Sequence, residues 1–297
     1  MTYLITGGTG SFGQAYAKWL IDNTDHVVRI LSRDEQKQDE MRKRFNSDRL
    51  RFLLGDVRDS ERLDLACRRV DVVVHAAALK IVPACEYTPS ETIKTNVVGT
   101  MNVIDACVKN GVRRCVGIGT DKAVKPVNLY GASKLCAERL LIHSNSYATT
   151  VFNCVRYGNV IGSRGSVLGM FEKQETIEIT HPEMTRFWMT LDRAVHLVNT
   201  AVLAPLEGVV IVPKAPSADM MTFKAAFAPG KPHRIIGLRA GEKIHETLIG
   251  EEESCRAVDV GENYIIHQTA FHDKPFEYRS DTNPWRIDAA DLKALAA

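Results

Sequence analysis

Four residues in one short stretch have the types and spacing to do chemistry. They are Asp121, Lys122, Tyr130 and Lys134, within TDKAVKPVNLYGASKLCAER (120–139). Pro126 and Asn128 punctuate a loop, and the run over 129–141 has helical spacing. On a helix, Tyr130 and Lys134 stand at i and i+4 and share one face. A lysine ammonium beside a phenol favours phenolate, lowering a tyrosine pKa that is ordinarily ~10. Such a phenolate takes a proton from a sugar or alcohol hydroxyl near neutral pH. Taken alone, a Tyr-x-x-x-Lys pair is equally well two polar residues on a solvated helix face. Asp121 and Lys122 just upstream, and a cofactor fingerprint at the N-terminus, favour chemistry.

That fingerprint is a β-rich run over 3–6 followed by Gly7-Gly8-Thr9-Gly10-Ser11-Phe12-Gly13 and then a helical pattern. Strand, glycine turn and helix in this order bind a dinucleotide, with the pyrophosphate at the helix N-terminus. Gly7, Thr9, Gly10, Ser11, Phe12 and Gly13 are the expected contacts. A second strand over 26–31 ends in Ser32-Arg33, where an NAD site usually carries an acidic residue. A hydroxyl and a fixed cation suit a 2′-phosphate instead, so the cofactor expected is NADP; the plainer alternative leaves Arg33 in solvent beside Asp34 and Glu35.

The third strand, over 51–54, leads to Gly55-Asp56-Val57, where Asp56 can accept from an adenine amino group. Asp59 or Ser60 then caps a helix. The fourth, over 71–75, is a continuous apolar run, as a parallel strand buried on both faces should be. Ala76 and Ala77 beyond it let a ribose lie against the backbone, and Lys80 reaches ribose or phosphate. His75 reads as a packed strand-end residue. A long helix over 89–109, with Ile93, Val97, Met101, Ile104 and Val108 on one face, brings Asn96 towards the catalytic stretch. The fifth strand, over 115–119, delivers Thr120, Asp121 and Lys122 to the sheet's carboxyl edge, where open α/β sheets bind ligands.

After a sixth strand at 151–155 the alternation loosens. A helix over 192–203, a strand over 208–213, and a strand followed by a glycine-hinged helix start over 235–246 are expected. The fold class is α/β: a Rossmann-type doubly wound parallel sheet with a smaller C-terminal substrate-binding portion. Residues 1–160 mainly bind cofactor and 161–297 mainly bind substrate, interleaved with the core.

Composition narrows the function classes. At 297 residues, 45% hydrophobic and 25% charged, the chain reads as a soluble globular protein, and its net charge of +2 speaks against nucleic-acid binding. No apolar run approaches the ~20 residues of a membrane span, and MTYLITGG is a strand and turn, with no secretory signal. Seven scattered cysteines without a CxxC pair fit buried free thiols in a reducing cytoplasm, and no metal site is expected.

Together these residues resemble the extended short-chain dehydrogenase/reductase superfamily. Within it the chain is most similar to the inverting UDP-N-acetylglucosamine 4,6-dehydratases of the polysaccharide-biosynthesis group. The resemblance runs nearly end to end, through TGGTGSFG (6–13), SRDEQKQDEMR (32–42), GDVRD (55–59), HAAALK (75–80), TDKAVKPVNLYGASKL (120–135), VRYGNVIGSRGSV (155–167), MTRFWMT (184–190) and LRAGEKIHE (238–246). Two departures stand out. Residues 267–276 form a shorter segment than the family leads one to expect, and 218–231 carries fewer apolar positions than its usual helix.

The resemblance implies a mechanism. Tyr130, assisted by Lys134, takes the sugar O4 proton as C4 is oxidised, with Thr120 bonding O4. Lys122, neutral through desolvation and a nearby cation, takes the C5 hydrogen. Asp121, protonated through burial, releases the C6 hydroxyl as water. Lys80, Thr120, Asn159, Val167, Arg239 and Glu242 are implied as substrate contacts for a UDP-sugar. Arg164 and Arg186 have phosphate-binding chemistry too, with a structural ion pair as the alternative. A homo-oligomer, dimer or hexamer, is implied, with no nucleic-acid or membrane partner. The alternatives are a retaining dehydratase, which as a family carries Asp-Glu after the threonine, a UDP-sugar 4-epimerase, or an NADPH-binding regulator.

Overall fold

Alternation along the first strands sorts side chains between two cores. The computed structural model describes residues 1–296 and places six parallel strands in the first half: β1 (Thr2–Thr6), β2 (Val27–Ser32), β3 (Leu50–Leu54), β4 (Val72–His75), β5 (Arg114–Ile118) and β6 (Val151–Val155). Leu4 and Val73 face one side, where helices Ser60–Cys67, Gly99–Lys109 and Leu129–His143 pack. Tyr3, Ile5, Val72 and Val74 face the other, against helices Ser11–Asn23 and Leu191–Leu203. This period of two, buried on both faces, makes β4 an unbroken apolar run.

The second half adds β7 (Asn159–Val160), β8 (Ile177–Ile179), β9 (Thr185–Met189), β10 (Val210–Pro213), β11 (Ser217–Asp219), β12 (His233–Ile235), β13 (Thr247–Ile249), β14 (Ala257–Asp259), β15 (Asn263–Ile266) and β16 (Tyr278–Arg279). The main sheet has nine strands in the order β14-β15-β10-β6-β5-β4-β1-β2-β3. Pairing is parallel from β3 to β10, and β15 and β14 join antiparallel. The order reverses between β1 and β4, the crevice where doubly wound sheets bind ligands.

Two expectations need correction, and one departure gains a structural account. The helix over 89–109 exists as Pro89–Ile93 and Gly99–Lys109, joined by a π-turn at Lys94–Val98. Its wider turn shifts the helical register. Ile93, Met101 and Val108 consequently stay exposed, while Thr92, Thr95, Asn96 and Thr100 turn inward. No helix starts within 235–246. Gly237 and Gly241 adopt left-handed φ of 83° and 80°, and the chain runs as turns into β13. The segment with few apolar positions does contain a helix, Met220–Phe227, capped by Asp219 accepting from Thr222 N at 2.7 Å. Phe223 anchors it, stacked on Trp188 at 4.2 Å. All seven cysteines are free, five of them buried, and no helix among the described residues is long and apolar enough to cross a membrane.

The two halves meet over a buried ion triad. Arg156, 1% exposed, donates to Glu138 Oε2 and Oε1 at 3.1 and 2.7 Å, and to Glu253 Oε1 and Oε2 at 2.5 and 3.1 Å. Its Nη1 also reaches Leu248 O at 2.8 Å. Burial works against the Glu253 carboxylate, but the Arg156 charge and hydrogen bonds prevail and hold its pKa below 4.5. Arg156→Leu strands two buried carboxylates, so urea unfolding at neutral pH should show a loss of about 3–5 kcal/mol. Because the folded pKa of Glu253 is depressed, its contribution is present above 4.5 and is lost as pH falls. The stability gap to Glu253→Gln should therefore close in acid, which urea titrations at stepped pH would measure.

Candidate active site

A cavity of about 1060 Å³ runs along the carboxyl edge of the sheet, from the Gly7–Gly13 turn to Arg239 and Glu242. At its floor, Gly7 has φ 66°, and a Cβ there would lie 2.8 Å from Ala77 Cα. Only glycine permits both the left-handed turn and this approach. Helix Ser11–Asn23 opens at Gly10 with no side-chain cap, so its first N–H groups face the cavity mouth, a place that suits a phosphate. Thr9, Ser11, Phe12, Ala76, Ala77 and Val57 line the same trough.

At the far end of the trough, Ser32 Oγ accepts from Gln38 Nε2 at 3.0 Å. Arg33 is largely exposed and stands 3.7 Å from Asp56 Oδ2, while Lys37 pairs with Asp34. Asp56 is held by Arg58, which donates from Nε at 2.9 Å and Nη2 at 2.6 Å. Burial raises the Asp56 pKa, but the Arg58 contacts outweigh it and leave the carboxyl below its usual value. Lys37 and Gln38 had no role in the sequence reading, since nothing in their local pattern separates them from a solvated helix face. Lys80 and Arg164 both line the cavity, and burial and the Arg164 charge lower the Lys80 pKa. His75 is packed as expected, Nδ1 2.8 Å from Thr6 Oγ1 and Nε2 3.0 Å from Thr100 Oγ1. Burial and Lys134 push its pKa down to about 3, so it is neutral.

At the centre, helix Leu129–His143 begins at Asn128, whose Oδ1 accepts from Gly131 N at 2.7 Å. A Cβ on Gly131 would stand 2.1 Å from Lys122 O, so this glycine lets the helix lie against the turn Asp121–Ala123. Asn96, on the inward π-turn, donates to Leu79 O at 2.9 Å and Ser133 Oγ at 3.0 Å, and accepts from Leu79 N at 2.8 Å. The expected bridge to the catalytic segment is thus formed. Thr120 Oγ1 donates to Asp121 Oδ1 at 3.0 Å. Asp121 is fully buried, and its Oδ2 has no hydrogen-bond partner.

The charge states differ from expectation at two residues. Burial pushes the Tyr130 pKa up to about 12, despite Lys122 and the Thr120 hydroxyl drawing it down. Lys134, 7% exposed, has its own pKa lowered by burial. Lys122 is not neutral. Burial lowers its pKa, but Asp121 and Glu246 more than reverse this and raise it. Its Nζ lies 3.1 Å from Asp121 Oδ1 and 3.1 Å from Glu246 Oε1. Asp121 does behave as expected, its pKa raised by burial and by Glu246 against the pull of Lys122 and Arg186. Glu246 closes the LRAGEKIHE stretch (238–246), from which Arg239 and Glu242 but not this carboxylate are expected as contacts.

The expected substrate contacts Asn159, Val167, Arg239 and Glu242 all line the cavity. Arg239 donates to Glu242 Oε1 from Nε at 3.0 Å and faces the opening. Arg186 lines the same cavity, its Nη atoms donating to the carbonyls of Thr185, Ile244 and Lys243 at 2.7, 3.0 and 3.0 Å and its Nε 3.8 Å from Glu246 Oε1.

The family of polysaccharide biosynthesis proteins matches residues 3–268. A relative from Campylobacter jejuni subsp. jejuni serotype O:23/36 (strain 81-176), named UDP-N-acetylglucosamine 4,6-dehydratase (inverting), is 48% identical over 272 residues, 89% of this chain and 81% of its own. A UDP-glucose 4-epimerase of Rickettsia canadensis (strain McKiel) is 43% identical over 280 residues, 89% of this chain and 82% of its own. The X-ray structure of Pen from Bacillus thuringiensis superposes with a TM-score of 0.92 at 34% identity, covering 99% of this chain and 96% of that one.

The electrostatics of the centre can be read spectroscopically. A 295 nm difference titration between the chain and Tyr130→Phe should place the missing phenol near 12, not in the neutral range. Lys122→Ala should move it higher, since Lys122 draws it down.

Proposed function

The chain belongs to the family of polysaccharide biosynthesis proteins, and from that premise we propose that it is an inverting UDP-N-acetylglucosamine 4,6-dehydratase, a hydro-lyase of surface-glycan precursor synthesis. The observation that carries this reading is the ion pair of half-buried Lys122, which lines the cavity with Tyr130, and fully buried Asp121, 3.1 Å apart. A 4-epimerase needs only the tyrosine and the cofactor, and has no use for an acid and an amine at C5 and C6. The pair therefore separates the two activities where overall identity to the relatives does not.

A bound nicotinamide dinucleotide supplies reversible hydride acceptance, so the turnover is redox-neutral. Gly7, Gly10 and the open helix start would hold its pyrophosphate, and Ala76 and Ala77 would flank its ribose. Ser32, Arg33 and Lys37 suit a 2′-phosphate, which makes NADP the preferred form. Tyr130 is a phenol at rest and takes the O4 proton in its ionised form, which the Lys122 charge and the Thr120 hydroxyl favour against burial; Thr120 orients the oxygen. The resulting 4-ketone acidifies the C5 hydrogen, which Lys122 removes. Asp121, once it has taken up a proton that its raised pKa helps it hold, protonates the departing C6 hydroxyl. C5 is reprotonated from the opposite face, giving the L-configured 4-keto-6-deoxy sugar. Arg239 and Glu242 at the cavity mouth serve the UDP portion, Arg239 by charge-assisted bonds to the diphosphate. Residues 1–160 chiefly bind cofactor and the remainder chiefly binds substrate. The exposed Ile93, Val98, Met101 and Val108 favour a homo-oligomer formed through that helix.

Incubation with UDP-N-acetylglucosamine in deuterated water should give water loss, deuterium at C5 and the L-configured product. Tight NADPH binding with unchanged sugar would sink the dehydratase reading. Lys122→Ala should abolish dehydration yet permit trace C4 oxidation, seen as a 340 nm signal; full turnover would remove Lys122 as the base. Arg33→Ala should weaken NADP⁺ binding by about tenfold, one lost phosphate contact. NAD⁺ binding should hardly change, and calorimetry with both nucleotides distinguishes the outcomes.

A further inference from the structure

The proposed elimination needs Lys122 as a free amine and Asp121 as an acid, yet the resting site holds an ammonium 3.1 Å from Asp121 Oδ1. A third group shares that ammonium. Glu246, 2% exposed and immediately before β13, places Oε1 3.1 Å from the same Nζ. Its backbone is pinned from both sides: the N–H donates to Ser280 Oγ at 3.0 Å, and the carbonyl accepts from Ser280 N at 2.9 Å. Two further cations face Glu246 at longer range and help Lys122 hold it ionised against burial. Arg186 stands 3.8 Å from Glu246 Oε1 with its Nη atoms on backbone carbonyls. Lys243 lies 3.9 Å from Oε2 and donates to Val124 O at 2.6 Å. Glu246 Oε2 and Asp121 Oδ2 are both buried without a hydrogen-bond partner. Unpaired buried carboxylate oxygens are costly, and Glu246 lines the cavity together with Lys122, the residue both carboxylates share.

We propose that Glu246 is a positioning residue for the elimination, holding Lys122 between two carboxylates so that one proton, moved from Nζ to Asp121, creates the amine and the acid together. The inference rests on the dehydratase reading. In the transfer one N–H bond breaks and one O–H bond forms. Asp121, Lys122 and Glu246 carry one net negative charge before and after it. The amine then takes the C5 hydrogen, Asp121 gives its proton to the C6 oxygen, the C6–O bond breaks and water leaves. The three side chains end as they began, an ammonium between two carboxylates, and elimination draws no proton from solvent. Glu246 touches no reacting atom; it fixes where Nζ stands and supplies the charge that remains when Asp121 is neutralised.

The test begins without substrate. In isotope-labelled lysine NMR of the free protein, with Lys122→Ala identifying the signal, Lys122 should titrate above an ordinary lysine. In Glu246→Gln it should titrate about 1–3 pH units lower than in the parent, because one adjacent negative charge is gone. Glu246→Asp should restore most of the difference. An unchanged titration in a Glu246→Gln protein with parental melting overturns the proposal. With UDP-N-acetylglucosamine, Glu246→Gln should lose about 10²-fold in kcat with KM unaltered, and the acid limb of its pH profile should move to lower pH. Parental kcat and pH profile would overturn the proposal as well. A parent that eliminates no water at all counts instead against the dehydratase reading, and the titration still decides the role of Glu246.

Discussion

One buried guanidinium carries the geometry of the whole site. Arg156 leaves β6 and fills its donor set with Glu138, Glu253 and the carbonyl of Leu248. Glu138 sits one helical turn beyond Lys134, so the helix bearing Tyr130 and Lys134 is fixed against the sheet. Leu248 lies in β13, two residues past Glu246, so the same cation sets where the C-terminal carboxylate enters the cavity. A charge taken this far from water is tolerated only with its partners complete, and each partner comes from a different part of the chain. The triad therefore behaves as a register pin between the catalytic helix and the later half.

Desolvation then governs what the pinned groups can do. Asp121, Tyr130, Lys122 and Lys134 are all buried enough for their charged forms to be penalised, but their neighbours differ. Lys122 has two carboxylates within 3.1 Å and remains an ammonium. Lys134 makes no ion pair among the described residues, and burial prevails. Asp121 shares its cation with Glu246, so its proton affinity rises. Two lysines and a phenol in one pocket thus differ in character through the count of nearby carboxylates, not through residue type.

Much of this was legible from the sequence because the signals are local. The glycine turn, the boundaries of β6, the Asn128 start of the catalytic helix and the grouping of Thr120, Asp121, Tyr130 and Lys134 all follow from spacing, capping and period. What could not be read depends on partners far along the chain. Glu246 closes the LRAGEKIHE motif, but its pairing with Lys122 has no local signature, and the protonated state of Lys122 depends on it. The π-turn at Lys94–Val98 has no propensity signature, so the helix over 89–109 reads as continuous and its inward face is misjudged. The Met220–Phe227 helix is held by Phe223 on Trp188, a tertiary contact that outweighs its weak periodicity. Gly237 and Gly241 occur where helical spacing suggests a start, and their left-handed backbone forbids one.

The distance along the chain between Lys122 and Glu246 has a consequence for how the protein is made. Gly7, Ala76 and Ala77 at the floor of the cavity lie in the first third, while the ion pair between Lys122 and Glu246 spans more than a hundred residues. Contacts of such separation form late, after the loop between them has been closed. During synthesis the glycine turn and its first strands therefore emerge well before the carboxylate that pairs with Lys122.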